Sequence, residues 1–117
     1  MNQTVITGVR AAFDLDHRVA VITGGAGMLG IRHGEAVAEL GGIPVLVDLN
    51  PVSAKAAAEG IMKDHGCLAL GLACDITNPE AVDDLKKQIL EQLGRVDILI
   101  NNAANNPKVA GGGLQGG

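Results

Sequence analysis

Residues 19–30 read VAVITGGAGMLG, and this stretch decides the fold. Its first four residues form a continuous apolar run that ends at Thr23 and a cluster of glycines. A short apolar run bounded by glycine is typical of a strand that is buried on both faces, as in a parallel sheet. Because the glycines let the chain turn tightly into a helix, the stretch predicts a strand, a turn and a helix in succession.

The glycine cluster also predicts an anion-binding turn. Without side chains the backbone can approach a pyrophosphate closely, and the N-terminus of the following helix offers unpaired N–H groups and a partial positive charge. Asp48 ends the next apolar run, where its carboxylate can accept hydrogen bonds from both ribose hydroxyls and would repel a 2′-phosphate. We therefore expect NAD rather than NADP. The alternative, in which the glycines only permit a tight turn and Asp48 is a solvated acid, stays open.

Beyond residue 30, helical patterns alternate with three further apolar runs. The runs at 44–47, 67–73 and 96–100 predict strands. The alternation of strand and helix predicts a parallel sheet with right-handed crossovers. Helical spacing places four apolar residues on one face of the first helix: Leu29, Ala36, Val37 and Leu40.

Start and stop signals mark the second and third helices. The dipeptide Asn-Pro at 50–51 predicts an N-cap and a first-turn proline, in a helix that reaches about residue 65. The tetrapeptide TNPE at 77–80 resembles a capping box with Thr77 as the N-cap, and Gly94 should end that helix. Its apolar face should comprise Val82, Leu85, Ile89 and Leu93.

The composition limits the classes of function. The 117 residues suit one domain, and an apolar fraction of 47% argues against a disordered chain. Nine basic and 13 acidic residues give a net charge of −4 without a basic cluster, which argues against a nucleic-acid partner. No run approaches the roughly 20 apolar residues of a membrane span. The sequence has no tyrosine, which excludes a phenolic acid or base within it.

Residue usage also suggests a compartment and a domain organisation. Cys67 and Cys74 lack metal-site spacing and predict free thiols in a reducing compartment, so we expect a cytoplasmic protein without a metal site. We expect a leader at 1–14 and a dinucleotide-binding domain at 15–104. A flexible tail at 105–117 follows from its glycines, which occupy five of the last seven positions.

Three blocks of the sequence resemble the N-terminal half of a short-chain dehydrogenase/reductase, over roughly residues 15–108. They are the glycine turn at 23–30, the pair Asp75 and Ile76 after the third run, and NNAA at 101–104 after the fourth. The turn has the spacing TGxxGxxG of the extended branch of this family, because Met28 replaces a glycine of the classical spacing. The NNAA block is a variant of the classical NNAG, so the chain is identified as classical-like.

The resemblance implies an open, doubly wound, Rossmann-like α/β fold with four strands in the order 3-2-1-4. It also implies that Asp75 bonds the adenine amino group and that Ile76 offers backbone contacts. Asn102 and Ala103 would border the nicotinamide ribose, while Asn101 would help to tie the strands together. The expected cofactor-binding residues are Gly24, Gly25, Gly27, Met28, Leu29, Gly30, Asp48, Leu49, Asp75, Ile76, Asn102, Ala103 and Ala104.

Catalysis in this family resembles a proton relay by a tyrosine, a lysine four residues later and a serine, all downstream of the fourth strand. Here the sole serine, Ser53, lies near the start of the second helix. We therefore expect a truncated NAD-binding half of an oxidoreductase of alcohols or ketones, inactive alone. The alternatives are a non-catalytic nucleotide-binding or sensing module that acts as an oligomer, and a scaffold that has lost its ligand. Self-association is expected through strand 96–100 or the uncovered sheet face.

Overall fold

The computed structural model describes residues 15–102. The described elements are β1 (Val19–Thr23), α1 (Met28–Glu39), β2 (Ile43–Asp48), α2 (Pro51–His65), β3 (Leu70–Ala73), α3 (Pro79–Leu93) and β4 (Ile98–Asn101). The predicted leader and tail, together with Ala103 and Ala104, lie outside the described residues.

The four strands form one parallel sheet in the order β3-β2-β1-β4. This order confirms the predicted Rossmann-like topology, in which the chain starts at a central strand and adds strands on either side of it. The register aligns Thr23 at the end of β1 with Val47 of β2 and with Asn101 of β4. The carboxyl ends of three neighbouring strands therefore meet at one edge of the sheet.

Helices cover both faces of the sheet, as expected for a doubly wound fold. On one face, Val37 of α1 and Ile61 of α2 pack against Ile22 of β1. On the other face, Leu85 and Ile89 of α3 pack against the valines of β1 and β2. All five residues of β1 are buried, which is why its sequence is a continuous apolar run rather than an alternating one.

The face that α1 turns to the sheet differs from the predicted one. Its buried residues are Gly30, Gly34 and Val37, whereas Leu29 is 60% exposed. A Cβ atom on Gly34 would lie 2.7 Å from Ile61 Cδ1 and 3.1 Å from Leu46 Cδ2, so the helix packs closely against its neighbours at this glycine. The prediction was right for Val37 and wrong for Leu29, Ala36 and Leu40, because the spacing of large apolar residues does not reveal the glycines of the contact surface.

The ends of α2 and α3 follow from side-chain caps. Asn50 accepts hydrogen bonds from the amides of Val52 and Ser53, which confirms the predicted N-cap. At α3 the cap is Asn78, which accepts from the amides of Glu80 and Ala81, rather than Thr77 as predicted. The Thr77 hydroxyl is engaged elsewhere, because it donates to the carboxylate of Asp75.

Two strands are shorter than the apolar runs that predicted them. β3 begins only at Leu70, and Cys67 lies before it, packed against the cluster on the α1 and α2 face. β4 begins at Ile98, and the preceding residue, Asp97, forms two hydrogen bonds with Val19 at the start of β1, a pair that we call the bracket. The amide of Asp97 donates to the Val19 carbonyl at 2.9 Å, and its carboxylate accepts from the Val19 amide at 2.8 Å.

Candidate functional site

The predicted site residues lie along the carboxyl edge of the sheet. The amide of Cys74, just after β3, donates to the carbonyl of Asp48 at the end of β2, at a distance of 2.9 Å. This bond brings the Asp75 block beside Asp48, and the register of β1 brings the glycine turn beside both Asp48 and Asn101. The structure thus brings together three blocks that are up to 79 residues apart in sequence.

Three glycines of the turn are required by the fold itself. Gly24 has a φ of +66°, a left-handed conformation that side chains rarely adopt. Gly25 donates its amide to the Val47 carbonyl at 2.9 Å, and a Cβ atom on Gly25 would lie 2.7 Å from the Leu46 Cα. A Cβ atom on Gly30 would collide with the Gly24 carbonyl oxygen. The turn is therefore folded tightly against β2 and onto itself.

Gly27 differs from these three glycines because nothing in the fold requires it. It is exposed, its φ is −77°, and a Cβ atom there would meet only the Gly24 carbonyl oxygen at 3.5 Å, an ordinary contact. Gly27 is the N-cap of α1 and provides no side-chain cap for the first-turn amides. The N-terminus of α1 is thus open to a ligand, and its unpaired amides suit an anion.

Two large apolar residues follow Gly27 at the start of α1. Met28 is 80% exposed, and Leu29 is exposed as well, so neither contributes to the core. Helix α1 has no acidic residue of its own in the first turn, and the Asp48 carboxylate lies just before it, bound to the Ala26 amide. The side chain that replaces a glycine of the classical spacing is therefore accommodated in solvent, outside the packed turn.

Asp48 lies between the glycine turn and the start of α2. Its Oδ2 atom accepts a hydrogen bond from the Ala26 amide at 3.1 Å, and its Oδ1 atom lies 3.4 Å from the Asn50 amide. A carboxylate has about four lone-pair positions, so both oxygens retain capacity to accept from a ligand. Leu49, the next residue, is exposed beside it.

Asp75 forms a small turn of its own after β3. Its Oδ1 atom accepts from the Thr77 hydroxyl at 2.6 Å and from the Thr77 amide at 3.0 Å. These two hydrogen bonds lower the pKa of Asp75, so it is a carboxylate at neutral pH. Within residues 15–102, no hydrogen bond to the Oδ2 atom of Asp75 is formed. Ile76, which follows, packs its side chain against the cluster on the α3 face.

The end of β4 holds the glycine turn from its other side. The Asn102 amide donates to Thr23 Oγ1 at 3.0 Å, and the Thr23 hydroxyl donates to Asn101 Oδ1 at 3.0 Å. The Asn102 side chain donates to the Gly24 carbonyl at 3.3 Å. The role of Thr23 and the bond from Asn102 to the turn were not expected from the sequence. The available signal was the position of Thr23, a lone polar residue between a buried strand and the glycines.

A concave feature on the α3 face of the sheet adjoins the carboxyl edge, because Thr23, Ile76 and Asn101 are part of its lining. It is an apolar groove of about 370 Å³ between α3 and the β1–β4 pair. Its lining includes Val21, Leu85, Ile89, Val96 and Leu99. Within residues 15–102, no three His, Cys, Asp or Glu side chains cluster as a metal site would require, and no helix is long and apolar enough to cross a membrane.

Comparison with known proteins identifies the family. The sequence profile described as short chain dehydrogenase matches residues 18–112, which is most of the chain. The chain belongs to this family. It is 35% identical over 103 residues to D-threitol dehydrogenase from Mycolicibacterium smegmatis, and 36% identical over 90 residues to sorbitol dehydrogenase from Cereibacter sphaeroides. These alignments cover 88% and 77% of this chain but only 39% and 34% of the two relatives.

Solved structures of the same family share the fold. A hydroxysteroid dehydrogenase from Escherichia coli superposes with a TM-score of 0.73 at 33% identity, over 78% of this chain and 38% of that one. The NADPH-dependent 3-quinuclidinone reductase from Rhodotorula rubra superposes with a TM-score of 0.72 at 27% identity, over 78% of this chain and 34% of that one. The sequence thus spans little more than a third of the length of the relatives that it matches.

Proposed function

We propose that this chain is the NAD-binding Rossmann module of an oxidoreductase that acts on alcohols or ketones. The observation that carries the proposal is the open N-terminus of α1. Its N-cap, Gly27, supplies no capping side chain, although the fold would tolerate a Cβ atom there. Such an end binds the pyrophosphate through backbone amides, because it combines free N–H groups with the positive end of the helix dipole.

The remaining blocks assign the two ends of the dinucleotide. Asp75, next to Asp48 at the edge of the sheet, accepts from the adenine amino group, and Ile76 and Leu49 border the adenosine. Asn102, followed by Ala103 and Ala104, borders the nicotinamide ribose on the β4 side. This order along the edge lets one extended ligand contact all blocks, and we propose residues 15–104 as the binding domain.

The coenzyme form follows from Asp48. Its carboxylate lies beside the turn, where it accepts from ribose hydroxyls and repels a 2′-phosphate, so we propose NAD rather than NADP. The reductase from Rhodotorula rubra is named as NADPH-dependent, so the family fold by itself does not determine this preference. The observation that supports the proposed preference for NAD is the negative charge of Asp48 at the end of β2.

Catalysis is not assigned to any residue of this sequence. Its 117 residues include no tyrosine, so a phenolic proton relay is not available within them. We therefore propose that the sequence binds the coenzyme and that the dehydrogenase reaction needs further residues. The same observation supports the second candidate, a non-catalytic nucleotide-binding or sensing module that acts as an oligomer.

Calorimetric titration tests the binding proposal. NAD, NADH, NADP and ADP are titrated into the 117-residue chain. We expect measurable heats with NAD, NADH and ADP, and binding of NADP that is at least about tenfold weaker than that of NAD. No heat with any of the four would refute both candidates. Tighter binding of NADP than of NAD would overturn the preference assigned to Asp48.

We also propose that the 117-residue chain self-associates through the face and edge of β4, with a second copy as the occupant. Leu99 of β4 is 66% exposed and lines the apolar groove. In the part of the chain that the structure describes, β4 pairs only with β1, so its outer edge has unpaired backbone groups. Exposed edges and apolar patches favour association.

We propose the cytoplasm as the compartment. Cys67 and Cys74 are free thiols, and they pack against clusters on opposite faces of the sheet. The sheet therefore separates them, and a fold that keeps two unpaired thiols suits a reducing environment.

A further inference from the structure

The carboxylate of Asp48, which we propose to bind the ribose, also contacts the protein. Its Oδ2 atom accepts from the Ala26 amide at 3.1 Å, in the middle of the glycine turn. The preceding residue on β2, Val47, accepts from the Gly25 amide at 2.9 Å. Successive residues of β2 thus bind successive amides of the turn, first through a main-chain carbonyl and then through a side chain.

The Ala26 amide depends on this carboxylate. Among residues 15–102, Asp48 Oδ2 is the only acceptor for that amide. On the opposite side, the Asn102 side chain donates to the Gly24 carbonyl at 3.3 Å. The turn is therefore held by the side chain of Asp48, at the end of β2, and by that of Asn102, just after β4. Gly27 and the first amides of α1 follow at its end.

We propose that Asp48 is a positioning residue for the phosphate-binding turn, in addition to its contact with the ribose. This inference rests on the proposed function. By accepting from the Ala26 amide, the carboxylate fixes the conformation of the turn before a ligand binds. The entropic cost of ordering the turn on binding is therefore smaller. Replacing Asp48 with a small neutral residue to admit a 2′-phosphate consequently loosens the turn and weakens the binding of every diphosphate ligand.

Two substitutions and one ligand separate the two roles. Asp48→Ala and Asp48→Asn remove the same negative charge, but only the asparagine keeps an oxygen that can accept from the Ala26 amide. The ligand 2′,3′-dideoxyadenosine 5′-diphosphate keeps the adenine and the diphosphate and has no ribose hydroxyls at those positions. A difference between the two variants in affinity for this ligand therefore measures the effect of Asp48 on the turn, and not its contact with the ribose hydroxyls.

In calorimetric titration, we expect the alanine variant to bind the dideoxy ligand about fivefold more weakly than the asparagine variant. Equal dissociation constants for the two variants would overturn the proposal. Failure of the unsubstituted chain to bind NAD, NADH, NADP and ADP alike would instead refute the proposed function, and the outcome for Asp48 would then rest on hydrogen exchange.

Hydrogen exchange tests the positioning role without any ligand. In the free protein, the Ala26 amide should exchange about tenfold faster in Asp48→Ala than in Asp48→Asn, which should stay close to the unsubstituted chain. The amide of Val45, fully buried in β2 between β1 and β3, serves as the reference for global unfolding. Equal exchange of Ala26 in the two variants, relative to Val45, would overturn the inference whatever the nucleotide affinities are.

Discussion

Gly24, Gly25 and Gly30 are glycines for reasons internal to the fold, whereas Gly27 is not. A Cβ atom on Gly25 or Gly30 would meet backbone atoms at less than van der Waals distance, while one on Gly27 would meet only a carbonyl at 3.5 Å. The sequence pattern alone treats these four glycines alike. The structure distinguishes the three glycines that the turn requires from Gly27, where the absence of a side chain leaves space for a ligand.

Replacing Gly27 with alanine should reduce binding without unfolding the protein. The added Cβ atom would stand beside the first-turn amides of α1, where it would keep a pyrophosphate from approaching closely. We expect the affinity for NAD to fall at least about tenfold. The free energy of unfolding should change by less than about 1 kcal/mol, the usual scale for an N-cap substitution. Calorimetry and urea denaturation measure the two effects.

Gly60→Ala is the matched control for Gly27→Ala. Gly60 lies inside α2, and a Cβ atom there would meet nothing within 4 Å. This substitution should stabilise the protein by roughly 0.5–1 kcal/mol, because alanine favours a helix interior, and it should leave the affinity for NAD unchanged. If Gly27→Ala bound NAD as tightly as the unsubstituted chain, the proposal that the pyrophosphate binds at this turn would be contradicted.

At the scale of elements, the sequence predicted the features that depend on neighbouring residues, such as strand burial and helix capping. It missed the features that depend on contacts between elements distant in sequence. The apolar run of β1 predicted a strand buried on both faces, and the Asn-Pro pair predicted the start of α2, because burial and capping leave signals within a few residues. The contact face of α1 was missed because Gly34 has no apolar side chain to mark it, although its small size lets the helix pack closely. The bond from Asn102 to Gly24 was missed because it joins residues 78 positions apart.

The identity of the N-cap of α3, Asn78 in the structure and Thr77 in the sequence-based prediction, can be tested directly. Asn78→Ala should destabilise the protein by about 1 kcal/mol, because the amides of Glu80 and Ala81 lose their acceptor. Thr77→Ala should cost less, since the Thr77 hydroxyl donates to Asp75 and caps no helix amide. Urea denaturation of both variants measures the difference. A larger loss in Thr77→Ala would restore the capping box predicted from the sequence.

The bracket between β4 and β1 should make stability depend on pH. Two hydrogen bonds from Arg95, at 2.7 and 2.8 Å, lower the pKa of Asp97, and the bond from the Val19 amide lowers it further. A carboxyl group whose pKa is lowered by folding stabilises the protein above its unfolded pKa, and that stability is lost as the pH falls through the folded pKa. The loss should therefore occur below about pH 4.

Asp97→Asn tests the bracket. The variant should be less stable than the unsubstituted chain at pH 7, and the gap between their urea midpoints should narrow as the pH is lowered toward 3. Asp83→Asn is the control, because its carboxylate is exposed and lies 4.0 Å from Lys86 Nζ, an ion pair that contributes little. A gap that stays constant between pH 7 and pH 3 would show that the Asp97 carboxylate does not stabilise β4 through its charge.

At the scale of the whole molecule, the two sides of the sheet are covered unequally. The α1 and α2 helices pack on one face with buried Val37, Ala58 and Ile61. On the other face α3 leaves the groove of about 370 Å³ open along β1 and β4. The relatives are more than twice as long as this sequence, so in them further chain is available to pack against this face, and for the 117-residue chain we propose that a second copy does so.

Leu99→Lys should prevent the self-association that this asymmetry favours. A lysine in the groove would place a charge in the apolar interface, so we expect the dimer dissociation constant to rise at least about tenfold. Leu90→Lys is the matched control, because Leu90 is 52% exposed on α3 and does not line the groove. Sedimentation velocity over micromolar concentrations measures both variants. A monomeric unsubstituted chain, or an equal effect of the two substitutions, would contradict an interface at β4.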